Sequence, residues 1–562
     1  MNATNRLPSV VLRTWWHGTL IQPHGFHLSI YNIMSFVVCN SANRFTICSF
    51  CNLLKDREKK DIFAGAGGAG ISQSTSLASQ PCIGGSAGGY PCSNVDLLSF
   101  TPLSTFGSSE ANDVWGWTDS GSGREFAIIG LFDGTGFVEI SDPINPVYLG
   151  KLASTNGISS SWRDIKVYSN HAFIGSEASG HGMQVFDLTL LLTAAPSSTF
   201  TPSSTYTGVG SSHNIVINED SGFAYIVGSS QCAGGLHMVD ISTPTSPTFA
   251  GCFSQDGYVH DAHCVIYSGP DTQYSNKEIC FCSNEDTVTI VDVSIKSSPV
   301  QLSRTPYPSD GYTHQGWLSE NQDYFIFGDE TDEISFGFNT KTLVMNVADL
   351  NAPTLAGSYF GPTLAIDHNL YNRDGFTYLA SYRAGLRVLK IEDLSTASFS
   401  EIGFFDVYPS SDSANFNGAW SVYPFFPSGN VLISGIEQGL FVVQPDLTAV
   451  PVCNNNGICD PGEDCNNCSN DCGSRTTGNP RRQYCCSGNV APDCGNEACS
   501  CAATPPGPTP PPAPTPPPAP TTTPPSCGGK NSPCSVNADC CSNNCKGGSC
   551  KGNRHLGSES FP

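Results

Sequence analysis

Charge is scarce in this sequence. Asp, Glu, Lys and Arg make up 13% of its 562 residues, and 26 Lys plus Arg stand against 49 Asp plus Glu, a formal charge of −23. So few cations repel polyphosphate and anionic bilayers, which excludes nucleic acid as an expected partner. Long apolar runs are missing as well. No stretch reaches the about eighteen apolar residues of a membrane span, and the final KGNRHLGSESFP lacks the hydrophobic tail of a lipid-anchor signal. The start offers only HLSIYNIMSFVVC (27–39), with no clear small-residue cleavage site behind it. An export signal is therefore expected to be missing, atypical or lost to a wrongly assigned start codon. What abounds is Gly (57), Pro (40) and aromatics (10%), a turn-rich β composition. An all-β core is expected, in a chain too long for one ordinary domain.

The 26 cysteines cluster, ten of them within 453–501 and six within 527–550. Such density implies an oxidising compartment and disulfide-stapled modules, hence an extracellular or cell-surface protein. Internal repetition fills the stretch before them. A short polar pair recurs roughly every fifty residues: Asn112-Asp113, Arg163-Asp164, His213-Asn214, His260-Asp261, His314-Gln315, His368-Asn369 and Asn417-Gly418. Each precedes a β-like run, a turn, a second run such as FAYIVG (223–228) and a third such as LHMVDIS (236–242). A fourth usually follows a proline step, as in SPTFAG (246–251) and APTLAG (352–357). Four short strands per unit of this period predict β-propeller blades, because one such sheet has two apolar faces and must stack on neighbours to bury both. Seven units predict seven blades. The seventh unit ends after its third strand (GLFVVQP, 439–445), while NVDLLSFTPL (94–103) is left over at the front, so the N-terminal strand is expected to complete the last blade.

The repeated VEISDPINP, VDISTPTSP and VDVSIKSSP resemble the LVIVD repeat, and NDVWGW, WRDIKVYSNHAF, HNIVIN, THQGW, DHNLY and FNGAWSVYPFFPSG resemble the choice-of-anchor B family. That resemblance implies an exported propeller tethered by whichever module its host supplies, and it implies no enzymatic activity. The expected organisation is an N-terminal region (1–93), largely disordered, then the propeller (94–446). A cysteine-rich module (453–501), a proline-rich spacer (502–526), a small module (527–550) and a tail (551–562) follow. In 453–501, disulfides are the expected source of stability, and Asp460, Glu463, Asp464 and Asp471 offer oxygen ligands for calcium or are simply solvated turns. The spacer suits polyproline II at about 3.1 Å per residue. The cysteine spacing of 527–550 resembles the inhibitor cystine knot (knottin), which implies the pairs Cys527–Cys541, Cys534–Cys545 and Cys540–Cys550. Inside the propeller Cys232 suits Cys252 and Cys264 suits Cys280, which leaves Cys282 over.

Two columns carry the candidate chemistry. The first members of the polar pairs, Asn112, Arg163, His213, His260, His314, His368 and Asn417, should ring the central channel. Four imidazoles there, with Asp261 and His263 nearby, suit a transition metal, and Asp113, Asp164 and Asp367 add carboxylates. The structural alternative is that these side chains hydrogen-bond each inner strand to the next. Three positions further on come Trp115, His263, Trp317, Tyr371 and Trp420, either blade packing or a sugar-binding platform. Gly65-Ala-Gly67-Gly-Ala-Gly70 and Gly84-Gly-Ser86-Ala-Gly88 lack the strand-to-helix frame of a dinucleotide fingerprint or a nucleophile elbow and read as linker.

The expected function is that of an extracellular, non-catalytic binding or scaffold protein, a monomer whose partner is a polysaccharide or another protein. The alternatives are a metal-dependent hydrolase or lyase using the four histidines, and a calcium-dependent adhesive surface.

Overall fold

The computed structural model describes residues 75–448, together with the backbone of 545–546 and 549–550. The expected seven-bladed β-propeller is what the chain builds. The inner strands of the blades are Ala111–Thr118, Arg163–Tyr168, Asn214–Asn218, Asp261–Ile266, Thr313–Leu318, Leu370–Arg373 and Ala419–Tyr423, each starting a sheet whose next strands step outward as antiparallel neighbours. Blades 1 to 7 are numbered in that order. Strands such as Phe223–Val227 and Val288–Asp292 are almost wholly buried, as a sheet covered on both faces requires.

The third strand owes its motif to its end. Asp187, Asp240, Asp292 and Asp393 each accept the backbone N–H two residues on, from Thr189, Ser242, Ser294 and Ser395. This is an Asx turn, which stops the strand and starts the link to the fourth. The turn explains the recurring Asp with a Ser or Thr two residues on.

Ring closure follows the expected register. Val95–Pro102 is the outer strand of blade 7, antiparallel to Gly439–Pro445, with Phe100 opposite Phe441 and Val95 opposite Pro445. Paired strands also lie on the N-terminal side of the expected boundary at 94. Ser86–Ala87 and Tyr90–Ser93 form a hairpin on the outer edge of blade 6, with Cys92 opposite Phe405, and a disulfide joins Cys82 to Cys92. The glycines read above as linker make the turns: Gly84, Gly85, Gly88 and Gly89 all have φ between 62° and 92°, the conformation a two-residue hairpin turn needs and glycine adopts freely. Tyr90, Phe100, Phe405 and Phe441 then pack together, with Phe100 and Phe441 centroids 4.5 Å apart.

Blades 1 and 2 interlock. After its third strand, Met183–Asp187, blade 2 sends Ser198–Phe200 to lie parallel against the outer strand of blade 1, Val147–Ala153, before its own fourth strand, Ser204–Tyr206, forms. Disulfides join Cys232 to Cys252 in blade 3 and Cys264 to Cys280 in blade 4, and Cys282 is a buried free thiol. In the separate C-terminal unit, Ser500–Pro562, the described residues are Cys545–Lys546 and Ser549–Cys550, which pair antiparallel. The calcium candidates Asp460, Asp464 and Asp471 lie outside the described residues, as do the side chains of the cysteines from Cys527 to Cys550. Among the described residues no helix is long and apolar enough to cross a membrane, which says nothing of a β-barrel.

Candidate functional site

Five of the seven second members of the polar pairs stitch neighbouring blades, whereas Asp261 accepts from Ala262 N–H in its own strand and Gly418 has no side chain. Asp113 accepts the Ile165 N–H at 3.0 Å and Asp164 the Ile215 N–H at 2.6 Å. Asn214 donates to the His260 carbonyl, Gln315 accepts from Leu370 N–H, and Asn369 donates to Ser421 Oγ. Each bond runs from one inner strand to the next, so the structural alternative accounts for this half of the pair. Two first members are tied off as well. Asn112 donates to the Ser161 carbonyl, and Asn417 accepts from Arg383 and donates to Glu437. Arg163 is buried, bonding the Leu131 carbonyl, Ser154 Oγ and His181 Nε2. Burial lowers its pKa to about 10, and burial with the Arg163 charge lowers His181 to about 4, so a neutral imidazole accepts from a guanidinium.

The four histidines form a row. Ring centroids lie 4.3 Å apart for His213 and His260, 4.2 Å for His260 and His314, and 4.2 Å for His314 and His368, and all four are buried. A repeated acid that the polar pairs do not include stands close by. Glu177, Glu285, Glu330 and Glu437 each sit one or two residues past the second strand of their blades, and two of them meet the histidines: Glu177 lies 2.7 Å from His213 Nδ1, and Glu330 3.5 Å from His314 and His368 Nε2. Its signal is the repeated Glu in GSE, SNE, GDE and GIE. The groups that suit a metal ion are His260, His314 and Glu330, whose ligand atoms lie within 4.8 Å of one another. Beside them Asp329, Asp332, Glu333 and Asp367 surround Lys341, which bonds Asp332. Burial and mutual repulsion raise Asp332 to about 6 and hold Asp367 and Glu333 well above the usual carboxylate range.

The second column lines a different space. A cavity of about 370 Å³ lies toward the other end of the inner strands, lined by the rings of Trp115, Trp317, Tyr371, Tyr423 and Phe425 together with polar groups that include Lys166, Asn218 and Glu219. The aromatic rings pack edge to face, Trp115 on Tyr371 at 5.6 Å and Trp317 on Tyr371 at 5.2 Å. His263 stacks on Trp317 at 3.8 Å and accepts the Leu318 N–H through Nδ1, and enclosure lowers its pKa to about 3. His263 and Asp261 thus belong to the cavity and not to the histidine row. Trp420 leaves the column. A register shift between Ala419 and Ser421 turns it edge-on to His368, in a cluster with Ile366 and Phe416, and Tyr423 and Phe425 take its place.

Lys166 occupies the same column position as Trp115 and was passed over among the aromatics. Its ammonium lies 2.6 Å from Asp164, 3.8 Å from Asp113 and 4.7 Å from the Trp115 ring centre. Burial works against its charge, but Asp164 and Asp113 outweigh it and keep the lysine protonated. Among the acids, burial raises Asp113 well above its usual range. Asp164 is lowered, because Lys166 and the hydrogen bond from Asp113 overcome its burial. Burial thus favours the protonated form of Asp113, while Lys166 favours the carboxylate of Asp164. Burial raises Asp261 to about 7.

Fold and site define a seven-bladed propeller with a polar channel and an aromatic cavity. The family model for the LVIVD repeat matches residues 209–254, which span blade 3 from its polar pair to its outer strand. No curated protein matches. Similar solved structures include the computationally designed Ika8 protein (11% identity, TM-score 0.37, covering 59% of this chain and 82% of that one). A protein from Lactobacillus plantarum has 11% identity and a TM-score of 0.37, covering 58% and 88%. The periplasmic gluconolactonase PpgL of Pseudomonas aeruginosa has 10% identity and a TM-score of 0.35, covering 52% and 88%.

Proposed function

We propose that this chain is an extracellular, non-catalytic binding protein of the choice-of-anchor B type, whose propeller holds a sugar ring in the aromatic cavity. The observation that carries this reading is the composition of that cavity. Tryptophan and tyrosine rings offer flat apolar walls to the C–H face of a sugar, while Lys166, Asp261 and Asn218 offer donors and acceptors to its hydroxyls. With Asp113 protonated and Lys166 paired to Asp164, the floor is close to neutral at low pH, which suits an uncharged polyhydroxylated ligand. The burial of the four channel histidines favours this role over the metal-dependent hydrolase or lyase, since a substrate would not reach them. Three disulfides support an oxidising compartment. The cysteine-rich segment (453–501), the spacer (502–526) and the knottin-like module (527–550) serve as a second attachment point, and two linked sites raise avidity without a strong single one.

Tryptophan fluorescence during titration with a panel of neutral oligosaccharides tests the reading. Binding should quench or shift the emission of the full chain, and Trp317→Ala should weaken it by roughly tenfold or more, the loss of one stacking face. A panel that leaves the emission of the wild-type protein unchanged, or a Trp317→Ala variant that binds as well, overturns it.

A further inference from the structure

Glu330, at the opposite end of the inner strands from the cavity, is fully buried, and imidazole nitrogens stand on both its oxygens. His314 Nε2 is 3.5 Å from Oε2, and His368 Nε2 is 3.5 Å from Oε1. His260 completes the group. Two tautomers are set by the backbone. His260 Nδ1 lies 2.8 Å from the His314 carbonyl oxygen, and His368 Nδ1 bonds the Trp420 carbonyl oxygen. A carbonyl only accepts, so both Nδ1 atoms carry hydrogen, and in the neutral ring Nε2 then presents a lone pair.

A lone pair facing a carboxylate oxygen is repelled by it unless positive charge lies between them. A shared proton would draw nitrogen and oxygen to about 2.8 Å. Two ligands on a tetrahedral metal, with bonds of about 2.0 to 2.1 Å, are instead held about 3.4 Å apart, close to the 3.5 Å between His314 Nε2 and Glu330 Oε2. We infer that His260, His314 and Glu330, with His368 against the other carboxylate oxygen, form a binding site for one divalent transition metal of the zinc type. Imidazole nitrogen with a single carboxylate is the donor set such an ion favours over calcium or magnesium. Each ligand is at most 2% exposed, so the site is shut off from solvent and the ion is structural. The ligands come from the starts of blades 4 and 5 and from the end of the second strand of blade 5, so the metal cross-links two neighbouring blades through the channel. Tyr382 Oη donates to Glu330 Oε1 at 2.8 Å and orients the carboxylate from outside the shell. His213, bonded to Glu177, is not part of the set.

The full disulfide-bonded chain, stripped with chelator and dialysed against zinc, should retain one equivalent by elemental analysis and melt at a higher temperature than the stripped form. His314→Ala and Glu330→Gln should each weaken zinc binding by at least roughly a hundredfold, since losing even an outer partner costs up to that. His213→Ala should bind as the wild type does. Cobalt in place of zinc should give a tetrahedral visible spectrum without thiolate charge transfer, and this reading needs no variant to fold. Wild-type protein that retains no zinc, variants that bind it as tightly, or a cobalt spectrum showing thiolate ligation would overturn the assignment.

Discussion

Lys166 and its three carboxylates concentrate the electrostatic cost of the inner strands. Its side chain is 12% exposed, and replacing it with methionine would leave Asp164 and Asp113 buried without their cation. Breaking one side of a buried ion pair costs about 3 to 5 kcal/mol, so Lys166→Met is expected to lower the unfolding free energy measured by chemical denaturation by that amount. Asp261 makes a pH prediction. Burial raises it to about 7, whereas in the unfolded chain it ionises near its usual value of about 4. Between those values the folded protein keeps a proton that the unfolded chain has released. Asp261 therefore stabilises the fold below about pH 4 and loses that contribution as pH rises through about 7. Asp261→Asn should melt increasingly above the wild type as pH is raised across this window. A melting difference that stays constant from pH 4 to 7 would contradict the raised pKa. Lys166 stands three residues after Arg163, in the column that elsewhere carries Trp115, Trp317 and Tyr371, so its place is legible in the repeat although its two carboxylate partners come together only in the fold.

Among the elements, the hairpin and the closing strand that follows it carry the join of the ring. Phe100 is fully buried against Phe441, and Phe100→Ala is expected to cost about 3 to 5 kcal/mol, read as a fall in thermal midpoint. The Cys82–Cys92 bond closes a loop of 10 residues, for which chain entropy gives roughly 2 to 3 kcal/mol, so paired Cys→Ser replacement should lower stability by that order. A melting curve unchanged in the double variant would mean that the hairpin holds blade 6 without its staple. This strand was legible because repetition at a fixed period leaves a remainder: NVDLLSFTPL matched the missing fourth strand of unit seven. The hairpin before it was not legible, since paired glycines look alike in a linker and in two tight turns until partners for the flanking residues are known. Trp420 shows the limit of counting along a strand, because one shifted register turned it away from the cavity and offered Tyr423 and Phe425 instead.

Across the whole molecule, two chemically distinct spaces share one set of inner strands, an acid and imidazole centre near their starts and an aromatic cavity further along. The blade count followed from the repeat, because each sheet must bury two faces whatever its exact sequence. The repeated Glu was harder to see, because Glu177, Glu285, Glu330 and Glu437 follow second strands at offsets of one or two, and only the ring makes Glu177 and Glu330 neighbours of the histidines. A chain beginning at Leu103 would lack the strand that pairs with Gly439–Pro445 and expose the edge of blade 7. It is expected to elute from size exclusion as multimers or aggregate, and a synthetic peptide of residues 94–103 should return part of it to the monomer.

The pairing of Val95–Pro102 with Gly439–Pro445 also sets a timetable for biosynthesis. About 340 residues separate the partners, and at about 5 to 20 residues per second the early strand waits some tens of seconds for its mate. Local links such as Cys82 to Cys92 are available from the outset, while the last clasp must form after translation has passed all seven blades. Nascent chains stalled before residue 439 should consequently stay sensitive to protease around Phe100, and gain protection there only once the final strand has emerged.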